Sequence, residues 1–230
     1  EAAELVSLID DAAEREAAAK RAVDEAESRL ADAAQSLADA RSQAAPRFAE
    51  AVTAQMARLE MGGAQLVCAA EDLPRESWTR SGSQAIEFLF RPGSGMQARP
   101  LARIASGGEI SRVMLAVKVV LGQVDEVDTL VFDEVDAGVG GSTANALAEV
   151  LADLAKTHQV IVVTHLAQVA VRGQAHYVVR KAEGVDGMPE TDLRELSADE
   201  RPAEIARMLS GDATETSLAH AREMLEAARR

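Results

Sequence analysis

Cysteine and aromatic residues are scarce in this chain of 230 residues. Cys68 is the single cysteine, and aromatic residues make up 3% of the sequence. One cysteine excludes an internal disulfide and fits a reducing cytoplasm, where a free cysteine most often fills space in a core. A run of about 18 apolar residues, which a membrane-spanning helix needs, is also absent. The sequence therefore predicts a cytoplasmic protein with no membrane partner.

Positive charge is scarce as well. Lysine and arginine together number 24, against 38 aspartate and glutamate residues, so the formal net charge is −14. DNA-binding surfaces neutralise phosphates with clustered lysine and arginine, so this composition excludes a broad nucleic-acid-binding face. Any contact with DNA must be local or lie outside this sequence.

A phosphate-binding P-loop is the third absence. Such a loop needs the pattern G-x-x-x-x-G-K-[ST], and in this chain no lysine follows a glycine. The four lysines are Lys20, Lys118, Lys156 and Lys181. A chain without this loop is not expected to hydrolyse a nucleoside triphosphate by itself.

The first 60 residues show the heptad spacing of a coiled-coil helix. Apolar residues recur at alternating intervals of three and four, with Glu16 as the one polar interruption. The stripe consists of Ala2, Leu5, Ile9, Ala12, Glu16, Ala19, Val23, Ala26, Leu30, Ala33, Leu37, Ala40 and Ala44. Because the stripe is narrow, we predict one strand of an antiparallel arm; an ordinary amphipathic helix on a globular core is the alternative. Pro46 is expected to interrupt or kink the helix.

The stretch Thr129–Glu134, TLVFDE, is predicted to be a buried strand that ends on two acids. Its three consecutive apolar residues are typical of a central strand covered on both faces. A bare acid pair is not tolerated in such surroundings, so Asp133 and Glu134 should lie just beyond the end of the strand. In open α/β sheets ligands bind at that end.

A second strand is predicted to end beside the first. After a glycine-rich loop, Ser142 is the expected N-cap of a helix through Lys156, and the apolar run 160–164 then ends at His165. This is the pattern of a β-α-β unit, whose two parallel strands end at the same edge of the sheet. The two acids and the histidine should therefore share one edge, although the spacing does not say whether they touch.

A third feature is the sequence Ser106-Gly107-Gly108-Glu109, which opens a predicted helix through about Leu121. The serine and glutamate form the S-x-x-E pattern of a capping box, which ordinary helices use. The two glycines weaken a helix start by about 1 kcal/mol each relative to alanine, so they need another reason. Bare backbone N–H groups at the positive end of a helix dipole suit phosphate.

Together these stretches resemble the ABC-type ATPases. The sequence from Ala105 to Glu109 is similar to their signature motif, TLVFDE to their Walker B motif, VDAGVGG to their D-loop, and His165 to their switch histidine. Three longer sequences, ASGGEISRVMLAVKVVL, LVFDEVDAGVGG and VIVVTHLAQVA, are similar to the SMC-like branch of these ATPases, which has coiled-coil arms. This resemblance implies DNA repair at double-strand breaks and a nucleoid-associated location. The implied fold class is α/β. Residues 1–60 would be the coiled-coil helix and 61–230 the C-terminal half of an ABC/SMC-type P-loop ATPase head, a parallel sheet with flanking helices.

The resemblance also implies roles for the acids and the histidine. Asp133 would hold Mg²⁺, usually through water, and Glu134 would orient or deprotonate the water that attacks ATP. His165 would contact the γ-phosphate, and Asp136 would reach across to a partner head. Glu134 and His165 are thus the candidate catalytic residues.

The glycine turn would serve a second protomer. The resemblance implies that Ser106, Gly107, Gly108 and Glu109 contact ATP held on the partner's P-loop, so that ATP joins two heads. The P-loop would lie on the chain's own N-terminal half, which we expect to precede Glu1 because the predicted helix is already under way there. DNA and other recombination proteins are the further implied partners.

Three other interpretations stay open. The head motifs would also suit another SMC-like ATPase of chromosome maintenance, or an ABC transporter subunit, although a long heptad helix before the signature argues against a transporter. A third interpretation is a non-catalytic scaffold or dimerisation piece. The site residues also have purely structural explanations: Ser106 would only cap a helix, Asp136 would be a loop aspartate and His165 a surface histidine.

Overall fold

A computed structural model describes residues 2–104, 106–124, 126–183 and 189–228. The sequence EGVDG at 183–187 predicts the turn of a β-hairpin. The centre of this turn and Ala105 lie outside the described part of the chain. The chain forms two compact units, residues 1–49 with 67–88 and residues 50–66 with 89–230. None of the described helices is long and apolar enough to cross a membrane.

The first element is the long helix α1 (Ala2–Arg58). Residues 12–33 of this helix are exposed, including the stripe residues Val23 and Leu30, whereas Ala34 is buried. The first three stripe positions lie outside the residues whose side chains are described. Over residues 12–33, no other part of the chain that the structure describes covers the heptad stripe, and the arm stays a prediction.

The helix continues through Pro46, so the expected interruption does not occur, and the alternative expectation of a kink stays a prediction. Proline lacks one N–H group, but its φ is compatible with a helix and long helices tolerate the lost bond where packing compensates. Packing begins close by in the first unit, where the ring of Phe48 lies 5.8 Å from the ring of Phe88. Tertiary contacts therefore outweigh the local preference.

Three strands follow α1 and form a sheet in the order β1 (Gln65–Asp72), β2 (Gln84–Arg91) and β3 (Arg99–Pro100). In the loop between β1 and β2, the indole N–H of Trp78 donates to the carbonyl oxygen of Leu73 at 3.0 Å. Trp78 is therefore a packing residue of this loop.

The backbone has a positive φ at Gly82, where a Cβ would stand 2.8 Å from the Leu37 side chain.

The centre of the second unit is a β-α-β unit. Strand β4 (Thr129–Phe132) leads through helix α3 (Gly141–Leu154) to β5 (Gln159–Val162), and β4 and β5 pair in parallel. The predicted α/β fold with a parallel pair and flanking helices is confirmed. The prediction that both strands are covered on two faces is wrong, because Val131 is 65% and Ile161 47% exposed. The described residues cover only one face of this two-stranded sheet.

Helix α2 (Gly107–Leu121) precedes β4 and ends at Gly122, close to the expected bounds. Helix α3 begins one residue before Ser142, and its N-cap is Gly140, so the prediction of Ser142 as N-cap is wrong. The hydroxyl group of Thr143 donates to the carboxylate of Glu60, and side-chain hydrogen bonds from Thr143 and then Ser142 lower the pKa of Glu60. A long-range contact has taken the serine away from its local role.

The remaining elements follow β5 along the chain. They are α4 (Ala167–Ala170), β6 (Tyr177–Glu183), β7 (Pro189–Glu195), α5 (Arg201–Ser210) and α6 (Glu215–Ala228). Strands β6 and β7 form the expected antiparallel hairpin. Helices α4, α5 and α6 share a core around Ile205 and Ala221, and Gly211, with φ 84°, ends α5.

Candidate functional site

The candidate site begins at the N-terminus of α2. Ser106 is the N-cap, with its backbone extended and its hydroxyl oxygen accepting the N–H of Glu109 at 3.4 Å. The serine half of the predicted capping box is therefore formed. The first N–H groups of any helix have no acceptor within it, so Gly107 and Gly108 carry donors that a ligand can use.

The two glycines of this turn pack against the segment that follows β4. A Cβ at Gly107 would stand 2.6 Å from Oε2 of Glu134, and a Cβ at Gly108 would stand 2.8 Å from the carbonyl oxygen of Ala137. Real Cβ contacts are almost never this short. Gly108 is therefore needed for close packing, which is a structural reason that the sequence did not reveal, whereas the short contact at Gly107 is with the end of a flexible side chain.

Two polar side chains of α2 hold the same segment. The Arg112 guanidinium donates to the carbonyl oxygens of Ala137 at 3.0 Å and Val135 at 3.4 Å, and the Ser111 hydroxyl donates to the carbonyl oxygen of Asp133 at 3.1 Å. Burial lowers the pKa of Arg112, while the nearby Glu109 carboxylate opposes that shift. The guanidinium stays charged, since arginine is not deprotonated in proteins.

Asp133 and Glu134 follow the last residue of β4, as predicted. The Oδ1 atom of Asp133 accepts the backbone N–H of Glu134 at 2.9 Å, and both side chains are exposed. Glu134 has a φ of 55°, in the left-handed region that a non-glycine residue rarely adopts. Such strain costs of order 1–3 kcal/mol and is concentrated at functional sites.

Asp136 is turned inward from the loop after the acids. The residue is only 3% exposed, and its Oδ2 atom accepts the Thr164 hydroxyl at 2.5 Å and the backbone N–H of His165 at 3.0 Å. The Nδ1 atom of His165 lies 3.1 Å from the same oxygen, and the His165 side chain is 70% exposed. The loop after β4 is thereby tied to the segment after β5.

The structure brings the predicted residues together in two pairs. Gly107 lies against Glu134, and Asp136 holds His165. Asp133 lies at the strand end, and Glu109 is half-buried on α2. The roles assigned to these residues stay predictions.

Sequence reasoning missed three residues of this site: Ser111, Arg112 and Thr164. Arg112 was detectable as a charged residue three positions after Glu109, on the helix that the glycine turn opens. Thr164 was detectable as a polar end to an apolar strand. Neither signal identifies the backbone atoms that these side chains contact.

The described residues contain no cluster of three or more histidine, cysteine, aspartate or glutamate side chains able to hold a metal. A divalent cation at this site would therefore depend on one carboxylate of the chain and on oxygen atoms from elsewhere. Mg²⁺ is usually bound in this way, by one or two carboxylates with waters and substrate phosphates.

The fold is similar to that of SMC head domains. A crystal structure of the Smc head domain with a coiled coil and joint from Pyrococcus yayanosii matches 83% of this chain and 30% of that chain. The TM-score is 0.50 and the sequence identity 20%, so this likeness shows the fold alone. No protein-family model matches the sequence.

The curated relatives are more specific, and they carry the description DNA repair protein RecN. The Mycobacterium leprae protein is 44% identical over 249 residues, which cover 100% of this chain and 42% of that relative. The Streptomyces coelicolor protein is 45% identical over 212 residues, covering 87% of this chain and 37% of that relative. The chain thus spans about two fifths of the length of these relatives. The predicted resemblance to the SMC-like branch is confirmed, and within it the chain resembles RecN.

Proposed function

We propose that this chain is part of a RecN-type ATPase that acts in the repair and recombination of DNA double-strand breaks. Binding of ATP would join two heads and its hydrolysis would release them, which would change how the protein holds DNA. The observation that carries the proposal is the packing of the glycine turn of α2 on the acid end of β4, with Glu134 held at a φ of 55°. The RecN relatives, which match the chain over most or all of its length, support it.

The chain itself would supply only part of each ATP site. A P-loop is absent from its sequence, so we infer that an N-terminal half of the same protein carries it. The exposed face of β4 and β5, which includes Val131 and Ile161, supports this division because it leaves apolar surface for further chain to cover. The exposed heptad stripe of α1 supports a coiled-coil arm that pairs with an antiparallel helix.

Mg²⁺ fits the chemistry of the strand end. Asp133 offers an exposed carboxylate whose Oδ1 accepts one backbone N–H, which leaves Oδ2 for a cation or its waters. The ion would neutralise charge on the phosphates of ATP. Neighbouring Glu134 has an exposed carboxylate too, and its role would be to orient or deprotonate the attacking water.

The start of α2 would bind the γ-phosphate of ATP on a second protomer. Ser106 would contribute its hydroxyl, and Gly107 and Gly108 their N–H groups at the positive end of the helix. In the present structure the Glu134 carboxylate of the same chain lies against Gly107. Since two anions repel in one place, Glu134 must turn away when the loop receives a phosphate.

A glutamine at position 134 tests the proposal. In the protein with its N-terminal half, Glu134→Gln should lower the rate of ATP hydrolysis by about 10² or more, because it removes the carboxylate that handles the water. Nucleotide binding, measured with a fluorescent ATP analogue, should persist because Asp133 is unchanged. Glu149→Gln on the exposed surface of α3 is the control. Unchanged turnover in Glu134→Gln would refute the assignment.

A further inference from the structure

The buried carboxylate of Asp136 has no role in the ATP hydrolysis proposed above. The resemblance assigns it to a partner head, but its side chain is only 4% exposed and its Oδ2 atom is already engaged by neighbours. Burying a carboxylate is costly unless hydrogen bonds compensate. For Oδ2, the compensation among the described residues comes from Thr164 and His165.

These contacts lock the backbone on both sides of His165. Its own N–H donates to Asp136, and the N–H of the next residue, Leu166, donates to the Thr164 hydroxyl oxygen at 3.0 Å. The same Thr164 hydroxyl donates its hydrogen to Asp136 at 2.5 Å. Thr164 therefore connects the carboxylate to the start of α4, and the segment 164–166 has little freedom to move.

We infer that Asp136 and Thr164 are positioning residues that fix the imidazole of His165 in one tautomer and one orientation. Oδ2 of Asp136 lies 3.1 Å from Nδ1 of His165, so a neutral ring must carry its hydrogen on Nδ1 to donate to the carboxylate. Nε2 is then the nitrogen left for other partners on a ring that is 70% exposed. The role in catalysis rests on the proposed function, whereas the tautomer does not.

A purely structural explanation makes a different prediction. If Asp136 only closes its loop, its bonds to Thr164 and to the backbone N–H of His165 suffice, and the imidazole is free to change tautomer. If Asp136 instead reaches across to a partner, the ring also loses its fixed acceptor. The hydrogen position on His165 separates these alternatives.

Long-range ¹H–¹⁵N NMR of the histidine rings measures that position directly in the 230-residue chain. At about pH 9, well above the ordinary histidine pKa of about 6.5, His165 should show the hydrogen on Nδ1. Asp136→Asn should shift it toward Nε2, because a neutral amide oxygen attracts the ring N–H less strongly than a carboxylate does, and His158 should be unchanged as an internal control. Hydrogen on Nε2 in the unaltered chain would overturn the inference whether or not any variant folds.

Thr164 provides a graded second test. Thr164→Ser keeps the hydroxyl and should keep the tautomer, whereas Thr164→Val removes it and should give a mixture, because Asp136 is then free to turn. Identical spectra for the serine and valine variants would remove Thr164 from the arrangement.

Turnover separates this inference from the proposed function. In the protein with its N-terminal half, Asp136→Asn should lower kcat for ATP by about tenfold or more, as loss of a histidine's supporting partner does, with little change in KM. If Asp136→Asn turns over normally while Glu134→Gln does not, the positioning role is wrong and the ATPase stands. If the unaltered protein has no ATPase activity, the proposed function fails, but the tautomer result still stands.

Discussion

Replacing Gly108 by alanine tests the packing of α2 on the loop after β4. A Cβ at this position would stand 2.8 Å from the carbonyl oxygen of Ala137, 2.9 Å from its Cβ and 3.2 Å from the Arg112 guanidinium. The first two atoms are fixed by the backbone, so α2 or the loop must move. At Gly107 the short contact is with the end of the Glu134 side chain, which is exposed and can rotate away. Gly107→Ala is therefore a matched control.

The difference between the two variants isolates the cost of the clash. Alanine is favoured over glycine in a helix by about 1 kcal/mol, and both variants share this gain. Forcing an extra carbon into a packed region costs about 1–3 kcal/mol. Gly107→Ala should therefore match or exceed the unaltered chain in stability, and Gly108→Ala should be less stable than Gly107→Ala by roughly 1–3 kcal/mol.

Urea unfolding of the 230-residue chain, followed by circular dichroism, measures this difference. The midpoint should fall in Gly108→Ala with an unchanged slope, since the surface exposed on unfolding is the same. Equal midpoints for the two alanine variants would show that Gly108 does not pack against Ala137 in solution.

Two further predictions concern side chains that hold loops. Ser197 and then Arg194 lower the pKa of Glu200 to about 2, so its stabilising contribution is full above pH 4.5 and lost as pH falls through about 2. Glu200→Gln should therefore lower the melting temperature at pH 6, with the difference closing below pH 4.5; a constant difference would contradict the ion pair. Arg112→Leu should lower the free energy of unfolding by about 1.5–3 kcal/mol, because it breaks charged hydrogen bonds to the loop after β4. Arg112→Lys should lose less, and unchanged urea midpoints in both variants would contradict that role.

Much of the fold was predictable because it depends on local patterns. The cap at Ser106 and the end of β4 before Asp133 each follow from the nearest few residues. The interruption expected at Pro46 and the N-cap expected at Ser142 were wrong for the same reason. Helix α1 continues through the proline, and Glu60, 82 residues before Ser142, takes that hydroxyl away from its capping role.

The site was predictable as a set of residues but not as a set of contacts. The motif pattern identifies Glu134 and His165, yet the packing of Gly108 on Ala137 and the inward turn of Asp136 join segments far apart in the sequence. Periodicity carries no information on such pairs. The exposure of Val131 was missed because an apolar run looks the same whether or not another piece of chain covers it.

An aspartate at position 106 tests the central claim, that the start of α2 binds the phosphate of a partner's ATP. Aspartate is a good N-cap, so Ser106→Asp should fold with an unchanged or slightly higher melting temperature. Its charge should repel the phosphate and prevent ATP from joining two heads. Thr214→Asp is the control. Thr214 directly precedes α6, and its hydroxyl oxygen accepts the N–H of Ser217, so this variant places an aspartate at the start of another helix.

Light scattering of the protein with its N-terminal half, with and without Mg-ATP, gives the decisive measurement. The unaltered protein and Thr214→Asp should double in mass when ATP is added, and Ser106→Asp should remain a single protomer. A Ser106→Asp protein that doubles in mass with ATP as readily as the unaltered one would leave Ser106 with its capping role only and would contradict the account.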